Sequence, residues 1–172
     1  MLTLSLLRHA KSSWSEPELD DHERPLAKRG IKDAPRIGRF MAAEKLLPDL
    51  VLCSGAVRTR ATLTLVLAEL PNTQAEIFFE DELYLAGPAE MFARLTKVKP
   101  PARHVLIVGH NPGLQALALE LTGEGKRKGL AGLAGKFPTG ALAVIDFEVG
   151  SWSALRAASG RLRLFVTPRR LP

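Results

Sequence analysis

The strongest constraint on this chain is an alternation that runs through most of its length. Short apolar runs are separated by stretches whose apolar residues recur at helical spacing. The runs cover residues 3–8, 50–53, 76–80, 104–109, 140–149 and 162–167. Between them, residues 30–47 place Ile31, Ala34, Ile37, Phe40, Met41 and Leu47 on a helical repeat closed by Pro48. Residues 56–70 form a second such stretch closed by Pro71, residues 88–98 a third, and a fourth opens at His110 and runs to about Thr122. Apolar periodicity of this kind, bounded by proline and glycine, marks helices. Strands that alternate with helices imply an α/β three-layer sandwich with a mostly parallel central sheet. Pro35 is best tolerated in a first turn, which puts the start of the first helix near Asp33. Residues 11–29 read as a polar loop with an acidic cluster, and residues 123–135, rich in Gly and Lys, as a mobile loop or short broken helix. Asn111 suits a helix N-cap, with Pro112 at the first helical position. No linker interrupts the pattern, so residues 1–172 are expected to form one domain.

Composition narrows the function classes. No apolar run approaches the roughly 20 residues that cross a bilayer. Residues 1–3 lack the basic and small-residue features of a secretory leader, so a cytoplasmic location and no membrane partner are expected. The single cysteine, Cys53, cannot form an internal disulfide, and no Cys/His set has zinc spacing. A net charge of +6 favours anionic partners. Aromatic residues do not interleave with the basic ones, which disfavours nucleic acid as the main ligand. Lys126-Arg127-Lys128 reads as a solvated charge run.

In open α/β sheets, ligands bind beyond the carboxyl ends of the strands. Three of the expected strands end in residues suited to an oxyanion: Arg8-His9, Ser54-Gly55-Ala56-Val57-Arg58 and Gly109-His110-Asn111-Pro112. If these strands lie side by side, two imidazoles and two guanidinium groups meet at one edge, with helix N-termini adding backbone N–H donors. Arg58 lies in a first helical turn, where its charge opposes the helix dipole. An anion between the two removes that conflict.

The same residues carry a family resemblance. Leu6-Leu7-Arg8-His9-Ala10-Lys11 resembles the Arg-His-Gly signature of the histidine phosphatase superfamily, which includes the phosphoglycerate mutases. Ser54-Gly55-Ala56-Val57-Arg58-Thr59-Arg60-Ala61-Thr62 is similar to its Ser-x-x-x-Arg-x-x-x-Thr segment, and Gly109-His110-Asn111-Pro112 to its second-histidine motif. Arg24-Pro25-Leu26 with Gly30 and Ala34, Phe137-Pro138-Thr139-Gly140 and Thr167-Pro168-Arg169 resemble the small SixA-type phosphohistidine phosphatases. Ala10 departs from the usual glycine, and Ser15 stands where mutases often carry asparagine.

The resemblance implies a phosphoglycerate mutase-like fold and a phosphatase that needs no metal or other cofactor. His9 takes the phosphoryl group, Arg8, Arg58 and His110 bind it, Ser12 is a further candidate phosphate donor, and Glu82 is the candidate proton donor. The implied substrate is a phosphohistidine protein; a small phosphorylated metabolite is the alternative, and a phosphate-binding module with little turnover is another. A rival from the residues alone is the Cys-x5-Arg loop of cysteine phosphatases. Cys53 and Arg58 fall one residue short of it, with four residues between them.

Overall fold

A computed structural model describes residues 1–171. Its seven strands are β1 (Leu2–Arg8), β2 (Leu50–Ser54), β3 (Glu76–Glu80), β4 (His104–Gly109), β5 (Thr122–Gly125), β6 (Leu142–Phe147) and β7 (Gly160–Val166). They form one sheet in the order β3-β2-β4-β1-β6-β7-β5. Pairs β1–β4, β2–β4, β2–β3 and β5–β7 are parallel, whereas β6 runs antiparallel to both β1 and β7. The helices are α1 (Lys28–Ala43), α2 (Val57–Leu67), α3 (Pro88–Leu95), α4 (Gly113–Leu121) and α5 (Arg127–Gly135). None of them is long and apolar enough to cross a membrane among the described residues.

Strands buried on both faces read as continuous apolar runs, and β1 and β4 do so because helices cover both sides of them. Leu7, Val51, Cys53, Leu106 and Val108 point toward α1 and α2, where they meet Ala34, Ile37, Met41, Leu63 and Val66. Leu4, Leu6, Leu52, Val105 and Ile107 point the other way, toward Met91, Leu95, Leu114, Leu117 and Leu133 of α3, α4 and α5. The segments after β1 and β2 therefore pass over one face, and those after β3 and β4 over the other. Neighbouring strands β1 and β4 are where the two directions part, which opens a crevice at their carboxyl ends.

Two segments depart most from the sequence expectation. Helix α1 begins at Lys28, not near Asp33, so Pro35 lies inside it. Its first turn is fixed from outside: Ala27 N–H donates to the Lys11 carbonyl at 2.8 Å. Gly30 lets the helix approach so closely that a Cβ there would lie 2.2 Å from the same oxygen. This tertiary contact overrides the local preference of proline, and it leaves Ile31, assigned to the apolar face, 53% exposed.

The second departure is the Gly/Lys-rich stretch, which forms edge strand β5 and helix α5 in place of a mobile loop. Gly123 passes within 2.0 Å (Cβ position) of the Ala158 carbonyl, an approach open only to glycine. Helix α4 also starts slightly late, at Gly113. Pro112, not Asn111, therefore holds the N-cap position and no side chain caps it there, although Asn111 Oδ1, one residue outside, accepts the Gln115 N–H at 3.2 Å.

Substituting Gly30→Ala should lower stability by about 1–3 kcal/mol, the usual cost of forcing atoms into a filled space. The melting midpoint should fall by roughly 2–4 °C for each kcal/mol. A thermal melt unchanged from wild type would mean that α1 is not pinned against the Lys11 backbone.

Candidate active site

The register of the central strands builds the site. Arg8 of β1 stands opposite Gly109 of β4, and Cys53 of β2 opposite Val108. The residues that follow emerge side by side: His9 N–H donates to the Gly109 carbonyl at 3.0 Å. The rings of His9 and His110 lie 5.4 Å apart, and Ser54 Oγ is 2.7 Å from His110 Nε2. Arg58, in the first turn of α2, reaches His110 Nδ1 with Nη2 at 3.3 Å. Both histidines and Arg58 are nearly sealed, at 5%, 3% and 2% exposure.

These contacts assign the tautomers. His9 Nδ1 lies 2.8 Å from the Ala10 carbonyl, which can only accept, so Nδ1 carries the proton and Nε2 keeps its lone pair. Arg58 can only donate, so His110 Nδ1 accepts and its Nε2–H donates to Ser54. Burial, aided by the Arg58, Arg8 and Arg24 charges, outweighs the Ala10 hydrogen bond and brings the His9 pKa down to about 4. Burial and Arg58 bring that of His110 to about 3. Both rings are neutral near pH 7.

The arginines are positioned from outside. Arg8 Nη1 donates to the Phe137 carbonyl at 2.9 Å, an oxygen that also accepts from Asn111 Nδ2 at 3.2 Å. This gives the Phe137-Pro138-Thr139-Gly140 segment its structural place. Burial and the neighbouring Arg58 charge lower the Arg8 pKa. Thr62 joins two of the motifs: its hydroxyl donates to the Arg58 carbonyl at 2.7 Å and accepts Ala10 N–H at 2.9 Å. Among the described residues, three buried side-chain nitrogens or oxygens lack a hydrogen-bond partner, and two of them are Arg8 Nε and Arg58 Nε. Unmade donors inside a protein are costly, and they concentrate where a ligand is expected.

Three residues at the site were given no site role from sequence, although Arg24 lies in a segment that carries the family resemblance. Asp21, in a 3-10 turn (Asp21–Glu23), offers its backbone oxygen to Arg58 Nη1 at 2.6 Å and its Oδ2 to Arg58 Nη2 at 2.9 Å. Tyr84 donates its hydroxyl to Asp21 Oδ2 and sets its ring edge-on to His110. Arg24, 6% exposed, ties the loop together through Asp21 Oδ1, Ser12 Oγ and the Ser13 carbonyl, with the exposed Trp14 ring 3.5 Å from its guanidinium carbon. Asp21 is lost in an acidic run, but the chain's only tyrosine was a usable signal.

Two expected site residues stand apart. Ser12 is buried and gives its oxygen to Arg24 at 2.8 Å. Glu82 is exposed on a 3-10 turn (Asp81–Leu83), with no hydrogen bond to Arg8, His9, Arg58 or His110; Tyr84 is the residue from that stretch that reaches them. His22 is half-buried, set edge-on to the Tyr84 ring and bonded to Glu23 and Asp81. His104 bonds Ser5 Oγ at 2.8 Å at the start of β4, at the far end of the strand from the site. Cys53 is fully buried in the α1–α2 core, and burial pushes its thiol up to about 12, which removes the thiolate rival. No group of three or more His, Cys, Asp or Glu side chains is arranged to hold a metal among the described residues.

No family model matches the chain. It is 35% identical over 167 residues to the uncharacterized Mycobacterium leprae protein ML1117, covering 95% of this chain and all of that one. The structure of SixA from Nakamurella multipartitia superposes with a TM-score of 0.80 at 31% identity, covering 97% of this chain and 96% of the other. SixA from Agrobacterium tumefaciens gives 0.80 at 32% identity over 97% and 98%. With its mixed seven-stranded sheet and the three motif segments gathered at one sheet edge, this chain belongs to the histidine phosphatase superfamily, in its SixA-type branch.

Proposed function

We propose that residues 1–172 act as one cytoplasmic phosphatase domain that works through a phosphohistidine on His9, with a protein phosphohistidine as substrate. The observation that carries the reading is the His9 tautomer. Its Nδ1–H is tied to the Ala10 carbonyl and its Nε2 lone pair is free, beside two guanidinium groups. A neutral imidazole in that state is the form that attacks phosphorus. The substrate class is supported by the two SixA structures, each described as a phosphohistidine phosphatase.

Phosphoryl transfer passes through a loose transition state, so positioning and charge stabilisation do most of the work. Arg8 and Arg58 supply forked N–H donors to the equatorial oxygens, the geometry that lysine lacks. The negative charge of the arriving phosphate also raises the pKa of His110. Nδ1 then takes a proton from solvent and turns from acceptor of Arg58 into donor to phosphate. In the first step Nε2 of His9 bonds to phosphorus as the bond to the leaving atom breaks. In the second, water displaces Nε2 and releases phosphate. The two arginines provide the positive charge on which a metal-independent reaction depends.

The purified chain should release phosphate from phosphohistidine proteins in preference to a panel of phosphorylated metabolites; the reverse preference would move the substrate to the small-molecule class. His9→Ala should abolish turnover while Cys53→Ala keeps most of it, and full activity in the histidine variant would defeat the reading. Activity should survive excess EDTA; complete, metal-reversible loss would contradict the arginine clamp. By NMR, the His9 ring of the free protein should remain neutral at pH 5.5, because its pKa is lowered from 6.5 to about 4. A midpoint near 6.5 would show that the ring is not sealed beside the arginines.

A further inference from the structure

We infer that Asp21 is the acid–base residue of this phosphoryl transfer, held on Arg58 and Tyr84 until a phosphoryl group takes its place on the arginine. The inference rests on the reading of His9 as nucleophile. Among the described residues, Asp21 is the one carboxylate hydrogen-bonded to any of Arg8, His9, Arg58 and His110. Its Oδ2 and His110 Nδ1 share one amino group, Arg58 Nη2, at 2.9 and 3.3 Å. A phosphoryl group bound by Arg58 and His110 therefore meets that carboxylate directly.

Depth sets the direction. His9 is 5% exposed, at the floor of the site, whereas the Asp21 side chain is 43% exposed, at its mouth. In-line displacement requires the leaving atom to depart on the side opposite the nucleophile. With the nucleophile buried, the exit side is the more exposed one, and the half-exposed Asp21 carboxylate on Arg58 is the acid available to it.

The surroundings also allow the carboxyl to change state. At rest, burial raises its pKa, but hydrogen bonds from Tyr84, Arg24 and Arg58 outweigh this and hold it well below the ordinary carboxylate range. A phosphate on Arg58 removes one of those cations and adds a negative neighbour, and both changes favour the protonated acid. Arg24 and Tyr84 keep the side chain in place meanwhile.

The proton balance closes. A phosphate monoester, whose second pKa is about 6, can bind as the monoanion and pass its proton to Asp21. As Nε2 of His9 bonds to phosphorus and the bond to the leaving atom breaks, Asp21 gives that proton to the leaving atom. The carboxylate then takes a proton from water, whose oxygen bonds to phosphorus while the electron pair of the P–N bond returns to Nε2. Asp21 returns the proton to the departing phosphate.

The test compares Asp21→Asn with wild type on two esters. Phenyl phosphate releases a phenol of pKa about 10, like tyrosine, and needs the acid. In p-nitrophenyl phosphate the leaving group departs as a stabilised anion and needs it far less. D21N should lose about 10²–10⁴-fold in kcat/KM on phenyl phosphate, the usual worth of general acid–base catalysis, and about tenfold or less on the nitrophenyl ester. Because the second step also loses its base, D21N should give a stoichiometric burst of p-nitrophenol and accumulate phosphorylated His9. Asp21→Glu should recover part of the phenyl phosphate activity relative to Asp21→Ala, a comparison that stands even if the asparagine variant folds poorly. Equal loss on both esters, a gain in activity, or the leaving-group-dependent loss appearing in Glu82→Gln instead would each overturn the inference. Absence of turnover in wild type, or full turnover in H9A, would instead overturn the nucleophile reading beneath it.

Discussion

The pairing of β1 with β4 is the constraint on which the rest depends. Because the two strands run parallel and Arg8 stands opposite Gly109, the chain leaves both strands at the same level, and His9 and His110 emerge as neighbours. Side chains alternate faces along a strand, so a slip of one residue would send these groups to opposite sides of the sheet. The register is held by the buried leucines and valines of both faces. The apolar core is thus what sets the spacing of the polar site above it.

What that spacing creates is a concentration of positive charge in a poorly solvated place. Burial depresses the His9 pKa, and the charges of Arg58, Arg8 and Arg24 reinforce the effect. Separate devices keep the cluster in order. The Phe137 carbonyl holds Arg8, Thr62 ties the turn of Arg58 to Ala10, and the Asp21 turn covers Arg58 and Arg24. A carboxylate inside an arginine cluster reduces mutual repulsion while preserving a geometry that suits a doubly charged anion.

Much of this was readable in the linear chain, and the reason is physical. The strand ends carry the reactive residues, and strands announce themselves by apolar runs that do not depend on partners. The positions of Arg8, His9, Arg58 and His110 followed from that. Where distant contacts decide local structure, sequence was a poorer guide. Pro35 signalled a helix start that the Lys11 carbonyl moved to residue 28, and glycines that suggested looseness at 123–135 instead permit close packing. Asp21 was hidden for another reason: in a run with Glu18, Asp20 and Glu23, only folding selects which carboxylate meets the arginine.

The placement of Cys53 has a further consequence. Phosphatases that work through a thiolate are silenced when peroxide converts that sulfur to a sulfenic acid, since reactivity and oxidation both require an ionised, accessible thiol. Here the chain's only sulfhydryl is sealed beneath α1 and α2, protonated and directed at the Ser54 carbonyl. The groups that surround the proposed reaction are nitrogen and oxygen donors. A phosphoryl transfer carried by these groups would present no ionised thiol for peroxide to oxidise.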